Sequence, residues 1–212
     1  MSYTDKIQTY QSDCAILLGR YSQFSDYIKE FSNSVPINAH GLDLGAGPGG
    51  CNSIFFTLLT LDGCDAEIQV VNSLPDDRYN QKFVYRLGKD QLPYSDETLD
   101  FVVCSCVIQH LSSEQELVQG LKEIHRVLKP GGYFYLMYKV GTHDTLLTHH
   151  NSYYDQERTF RVFSPTKVQE ILKELSLIKS EYLLDDNYIP YSSDIFFKGT
   201  KTDLEFELYE SK

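Results

Sequence analysis

Along the 212-residue chain the spacing of apolar and polar positions changes period several times, and each change marks an element boundary. Between Thr4 and Phe31, residues Ile7, Leu17, Leu18, Tyr21, Phe24, Tyr27, Ile28 and Phe31 fall at mostly helical spacings, which predicts one or two helices at the start. Ser34-Val-Pro-Ile-Asn38 breaks that pattern, because proline fixes its own φ and restricts the residue before it. Strand and helix signals then alternate: a strand over Ala39 to Leu44, a helix over Asn52 to Leu61, and strands over Glu67 to Val71 and Lys82 to Arg86. Leu99 to Cys106 carries Phe101, Val102, Val103 and Cys104 in succession, the near-continuous apolar run of a strand covered on both faces. Ser113-x-x-Glu116 reads as a capping box, and Leu117, Leu121, Ile124, Val127 and Leu128 line one face of the helix behind it until Pro130-Gly131-Gly132. Tyr133 to Val140 is strand-like, whereas Gly141 to Arg161 is polar, rich in His and Tyr, and reads as a long irregular connection. Ser164-Pro165 opens a further helix with Val168, Ile171, Leu172 and Leu175 as its stripe, and strands follow over Ser180 to Leu184 and Ile195 to Lys201. Leu204, Phe206 and Leu208 alternate as one more candidate strand.

Alternating strands and helices imply an α/β fold: a doubly wound, mostly parallel sheet with helices on both faces, extended by an N-terminal helical cap. Ligands of such sheets bind beyond the carboxyl ends of the strands. With 42% hydrophobic residues the chain can close one sizeable core, so a single domain over 1–212 is expected.

The most informative segment is Gly41-Leu-Asp-Leu-Gly-Ala-Gly-Pro-Gly-Gly50, a buried strand running into a glycine turn. Glycine there tolerates positive φ and lets backbone touch a ligand, and a helix starting near Asn52 would aim unsatisfied amides at a nucleotide-like cofactor. Gly45-x-Gly47-x-x-Gly50 also satisfies the dinucleotide fingerprint, so glycine spacing alone leaves a nicotinamide cofactor open. The wider context consists of Asp43, Leu92-Pro93-Tyr94-Ser95-Asp96-Glu97-Thr98-Leu99-Asp100-Phe101 and Leu128-Lys129-Pro130-Gly131-Gly132. In this order these segments resemble a class I S-adenosylmethionine-dependent methyltransferase, over about Ala39 to Val140 and more loosely to Lys201.

That resemblance implies a Rossmann-like sheet of seven strands with the last antiparallel, and S-adenosylmethionine as cofactor. It divides the chain into a helical cap (1–35), a cofactor-binding core (39–140), a substrate loop or lid (141–163) and the C-terminal part of the sheet (164–212). Asp43 would orient the glycine turn and the methionine end of the cofactor, with Gly45, Ala46, Gly47 and Gly49 forming the cradle. The family's acidic ribose ligand at the end of the second strand aligns with Asn72, followed by Ser73. Near the adenine, Gly88 stands where an aspartate is common, with Lys89 beside it and Asp90 as a substitute if the loop shifts. Cys106, Val107 and His110 cross the reactive end.

Methyl transfer from a sulfonium needs an acceptor in line with the S–CH3 bond, so positioning and water exclusion carry much of the catalysis. If the acceptor must lose a proton, His110, His149 and Tyr154 are the candidate bases. A net charge of −11 without a basic run disfavours nucleic acid and points to a small-molecule acceptor, although a basic peptide stays open. Tyr153, Tyr154, Tyr188 and Tyr191 near Asp155, Asp185 and Asp186 make a cationic amine one candidate. The polar start and the lack of a long apolar run lead to the expectation of a cytoplasmic protein that does not engage membranes. Cys14, Cys51, Cys64, Cys104 and Cys106 form an odd set without Cys-x-x-Cys spacing, read as reduced thiols. His143, His149, His150, Asp144 and Asp155 lack regular ligand spacing, so no metal is expected. The rival functions are a non-catalytic binding protein on the same fold and a nicotinamide-dependent oxidoreductase. Nothing in the sequence sets an oligomeric state.

Overall fold

The structure is a computed structural model that describes residues 22–139, 144–151, 156–175, 181–184 and 194–200. Its elements are α1 (Ser22–Ser34), β1 (His40–Leu44), a 3-10 turn (Cys51–Phe55), β2 (Thr60–Asp65), α2 (Ile68–Ser73), β3 (Lys82–Val84) and β4 (Leu99–Ser105). A second 3-10 turn (Ile108–His110) leads to α3 (Glu114–Val127), β5 (Leu128–Lys139), β6 (Thr145–Asn151), β7 (Gln156–Val162), α4 (Pro165–Glu174), β8 (Glu181–Leu184) and β9 (Asp194–Thr200). The main sheet runs β3-β2-β1-β4-β5-β9-β8; its first five strands are parallel, and β9 pairs antiparallel with both β5 and β8. The expected doubly wound sheet is therefore present, while the candidate strand at 204–208 lies outside the described residues.

Both faces are covered, which explains the continuous apolar run of β4. Val102 and Cys104 face Leu117, Leu121 and Ile124 of α3 and Val168 and Leu172 of α4, whereas Phe101 and Val103 belong to the cluster of Phe31, Phe56 and Tyr135 on the other face. Phe31 of α1 meets the rings of Phe56, Phe101 and Tyr135 at centroid distances of 6.4, 6.4 and 5.4 Å, so the N-terminal helix closes that face. Both expected N-caps form: Ser113 Oγ accepts from Glu116 N at 3.2 Å and Ser164 Oγ from Lys167 N at 3.3 Å. Glu116 Oε2 in turn accepts from Ser112 N at 2.8 Å.

Four expectations fail. The helix over Asn52 to Leu61 is only the 3-10 turn Cys51–Phe55, and the chain is already strand by Thr60. The second strand is Thr60–Asp65, while the segment read as that strand is helix α2. α3 stops at Val127 and passes directly into β5, with Pro130-Gly131-Gly132 in a bulge between the pairs Leu99↔Leu128 and Phe101↔Tyr133. The supposedly irregular 141–163 segment contains an antiparallel hairpin, β6 with β7, in register from Thr145↔Val162 to Asn151↔Gln156.

The Leu92-Pro93 segment is held by α3. Arg126 donates to the carbonyls of Tyr94 (2.8 Å) and Leu92 (3.3 Å) and to the carboxylates of Asp96 and Glu123, and Glu123 accepts from Leu92 N at 2.8 Å. A planar guanidinium fork can serve several acceptors at once, and an ammonium cannot. Arg126→Lys should therefore lower unfolding free energy by about 2 kcal/mol in chemical denaturation, with Arg126→Ala no milder.

Candidate active site

β1 delivers the chain into the elbow Gly45 to Gly50, whose backbone is fastened to the end of β2. Gly45 N and Ala46 N both donate to the Cys64 carbonyl at 2.9 Å, and Gly47 N donates to Asp65 Oδ2 at 3.1 Å. Gly49 N reaches Ser73 Oγ at 3.3 Å, and Gly50 N the Gly47 carbonyl at 3.1 Å. The expected fan of unsatisfied helix amides is therefore absent, since these five amides are used within the chain and no regular helix follows. Space is provided instead. A Cβ on Gly47, at φ +67°, would meet nothing within 4 Å, whereas one on Gly45 would strike Val107 Cγ2 at 2.3 Å. The elbow leans on Val107 and is open at Gly47, the cradle that an adenosyl ligand needs.

Two carboxylates stand at the ends of the strands that carry the elbow. Asp43, fully buried on β1, accepts from Tyr79 Oη at 2.7 Å and Asn52 Nδ2 at 3.4 Å. Burial pushes its carboxyl up to about 6 against the pull of those two hydrogen bonds, and the charge of Asp65 adds to the rise. Asp65 ends β2 and accepts from the amides of Gly47 and Glu67, each at 3.1 Å; burial raises its pKa as well. Sequence reasoning missed this residue. It stands at the strand end where an acidic ribose ligand belongs, and Asn72 lies instead in α2, a turn of chain away from that position. Its neighbour Ser73 braces the elbow through Gly49.

The residues expected on the adenine side have contacts within the chain. Gly88, at φ +77°, packs so closely on α3 that a Cβ would lie 2.2 Å from the Glu116 carbonyl oxygen. Lys89 pairs with Glu116 at 3.4 Å. Asp90 is held by Arg86 through its backbone N (2.9 Å), Nε (3.0 Å) and Nη2 (2.9 Å), and those bonds keep its pKa below the ordinary carboxylate value.

At the other end, Cys106 follows β4 at φ +60°, a strained conformation for a residue with a side chain, and its amide donates to the Met137 carbonyl at 2.8 Å. Gln109 is buried, and its Oε1 has no hydrogen-bond partner among the described residues. His110 is exposed and lies with its ring 5.3 Å from that of Phe160 on β7, so the hairpin closes over this turn. His149 sits on β6 opposite Arg158, and Tyr154 lies outside the described residues. Cys64, Cys104 and Cys106 are outside any disulfide, but Cys51 is disulfide-bonded, which corrects the expectation of a fully reduced set. Among the described residues no group of His, Cys, Asp and Glu could hold a metal ion, and no helix is long and apolar enough to cross a membrane.

Gly47 and Gly88 make a discriminating pair. Gly47→Ala should fold with a loss of about 1 kcal/mol from its left-handed φ yet bind S-adenosylmethionine at least about tenfold more weakly. Gly88→Ala should lose about 2–3 kcal/mol of stability because the contact is with backbone. Thermal melts and calorimetric titration of both variants check this.

Comparison with known proteins agrees with this geometry. Residues 42–136 match the family model described as a methyltransferase domain. A thiol S-methyltransferase of Rattus norvegicus, TMT1B, is 31% identical over 123 residues, covering 53% of this chain and 45% of that protein. A tRNA (carboxymethyluridine(34)-5-O)-methyltransferase of Arabidopsis thaliana is 30% identical over 109 residues, covering 50% of this chain and 25% of that protein. The match thus spans less than half the length of either relative. The fold of a SAM-dependent methyltransferase from Aquifex aeolicus superposes with a TM-score of 0.64 at 17% identity, covering 94% of this chain and 99% of that one. The glycine elbow at the carboxyl edge of the parallel sheet thus lies within residues 42–136, which are similar in sequence to methyltransferase domains, and the sheet has the fold of SAM-dependent methyltransferases.

Proposed function

We propose that this chain transfers the methyl group of S-adenosylmethionine to a small-molecule acceptor by in-line displacement. The observation that carries the proposal is the open space at Gly47, whose amide is held by Asp65, in an elbow packed on Val107 through Gly45. In it, Asp65 would accept from the ribose hydroxyls and Asp43 would face the methionine ammonium, directly or through a water. Gly45, Ala46, Gly47 and Gly49 shape the cradle, with Ser73 bracing it. The bound cofactor supplies a sulfonium methyl carbon that an acceptor lone pair can displace, leaving a neutral thioether.

The acceptor side is assigned to the turn after β4 and the hairpin above it. Gln109 offers a buried oxygen to an acceptor N–H, O–H or S–H, and leaving that oxygen unpaired costs about 1–3 kcal/mol, which a ligand donor would recover. His110 is the base where the acceptor must lose a proton, and Phe160 fixes its ring. His149 and Tyr154 are secondary candidates, on or near the same hairpin. The net charge of −11 supports a small acceptor over tRNA, and the thiol S-methyltransferase relative supports including small thiols beside amines and hydroxyls.

The test is formation of S-adenosylhomocysteine with panels of small thiols, amines and phenols and with bulk tRNA. Turnover with a small acceptor and none with tRNA is expected, and turnover with tRNA alone would overturn the assignment. Asp65→Asn should weaken S-adenosylmethionine binding by about ten- to a hundredfold, the worth of a charge-assisted hydrogen bond, while Asn72→Ala stays within about twofold by calorimetry.

A further inference from the structure

Three sequence features, Asp43, Gly50 and Gly63, have one side chain in common. Tyr79 follows α2, is 5% exposed, and reaches across the sheet face so that its hydroxyl donates to Asp43 Oδ2 at 2.7 Å. Its ring occupies space that only glycine leaves: a Cβ on Gly50 would lie 2.3 Å from Tyr79 Oη, and one on Gly63 would lie 2.6 Å from its Cδ1. Gly63 is the β2 partner of Asp43 in the sheet register, so a glycine is required beside the carboxylate for the ring to pass. Gly50, which completes the dinucleotide-like pattern in the sequence, thus makes room for this ring.

We propose that Tyr79 is a positioning residue of the cofactor site: its hydroxyl fixes one oxygen of Asp43, which leaves the carboxylate's other oxygen turned to Asn52, and so sets the pH range over which S-adenosylmethionine binds tightly. This rests on the assignment of Asp43 to the methionine end of the cofactor. Asn52 Nδ2 is on Asp43 Oδ1 at 3.4 Å, longer than the Tyr79 bond, so Tyr79 is the stronger of the two anchors. The other ionisable groups around Asp43 are Asp65 and Cys64 on β2 and Cys104 on β4, with Arg78 adjoining Tyr79. None of these donates a hydrogen bond to Asp43. Burial drives the Asp43 carboxyl up to about 6, and the Tyr79 hydroxyl opposes that rise by favouring the charged form. Burial also holds the Tyr79 phenol well above its ordinary value, so it stays a donor throughout the working range.

The sign of the consequence follows. If the cofactor's ammonium needs the carboxylate, affinity falls as pH drops through the folded-state pKa of Asp43. Removing the hydroxyl moves that pKa up, so the loss begins nearer neutrality. The ratio of variant to wild-type Kd at each pH cancels the titration of the ligand itself. For Tyr79→Phe, which keeps the ring, calorimetry with S-adenosylmethionine should give a ratio near one at pH 8.5. It should rise toward about tenfold by pH 5.5, the effect of roughly one pKa unit. A ratio that is constant with pH, whether one or larger, would overturn the proposal by giving Tyr79 a merely structural role. Should Tyr79→Phe melt below the working temperature, 3-fluorotyrosine installed at position 79 replaces it. That stronger donor should bring the ratio below one at low pH, and an unchanged profile would overturn the proposal. Asp43→Asn is the control on the underlying assignment: wild-type affinity and pH profile in that variant would remove Asp43, and with it Tyr79, from the cofactor site.

Discussion

The site depends on the fastening of the glycine elbow to the carboxyl end of β2. Two consecutive amides, Gly45 and Ala46, share the Cys64 carbonyl, and the next hydrogen bond runs from Gly47 to the Asp65 carboxylate. This arrangement fixes the turn without a following helix, leaves Gly47 facing open space and holds Asp65 at its rim. It also changes the usual argument for such turns. The amides of Gly45, Ala46, Gly47, Gly49 and Gly50 are used within the chain, so under the proposed function recognition would pass to carboxylates and to the absence of side chains.

Two carboxylates next to the same turn, Asp43 fully buried and Asp65 half-buried, are electrostatically costly, and the sheet handles them differently. Asp65 is satisfied by backbone amides, whereas Asp43 depends on two side chains, Tyr79 and Asn52. A second fully buried carboxylate, Asp62, lies on the opposite face of β2. It accepts from His40 Nε2 (2.7 Å), Asn80 Nδ2 (2.9 Å), Gln81 N (3.1 Å) and Tyr94 Oη (2.8 Å), which ties β1, β2 and the Leu92-Pro93 segment together below the site. The Leu92-Pro93 segment is thus docked onto Asp62, Glu123 and Arg126.

What the sequence made legible follows from local physics, and what it hid follows from contacts distant in the chain. The β4 run, both N-caps and the β1 to elbow transition are encoded in neighbouring residues and appear as expected. β2 was missed because Thr60-Leu-Asp-Gly-Cys-Asp65 carries three residues that argue against a strand, two of them, Asp62 and Gly63, in its middle. Asp62 is tolerated because four donors converge on it, and Gly63 is needed because the Tyr79 ring passes over it. Neither reason is visible without the fold. Val70 and Val71 drew the strand assignment forward instead, and the ribose-side residue moved from Asp65 to Asn72 with it. One slipped element thus placed Asn72, and not Asp65, at the end of the second strand. The hairpin over His110 was hidden for a similar reason, since β6 and β7 pair with each other and leave Leu146 exposed, which weakens the alternation that marks a half-buried strand.

The placement of the cofactor is tested most directly by a crystal structure grown with excess S-adenosylhomocysteine. The ribose hydroxyls should lie within about 3 Å of the Asp65 carboxylate, with the adenosyl moiety crossing Gly47 and the amino acid end near Asp43. An elbow closed by neighbouring side chains, or a ribose bound at Asn72 with Asp65 turned away, would contradict the account.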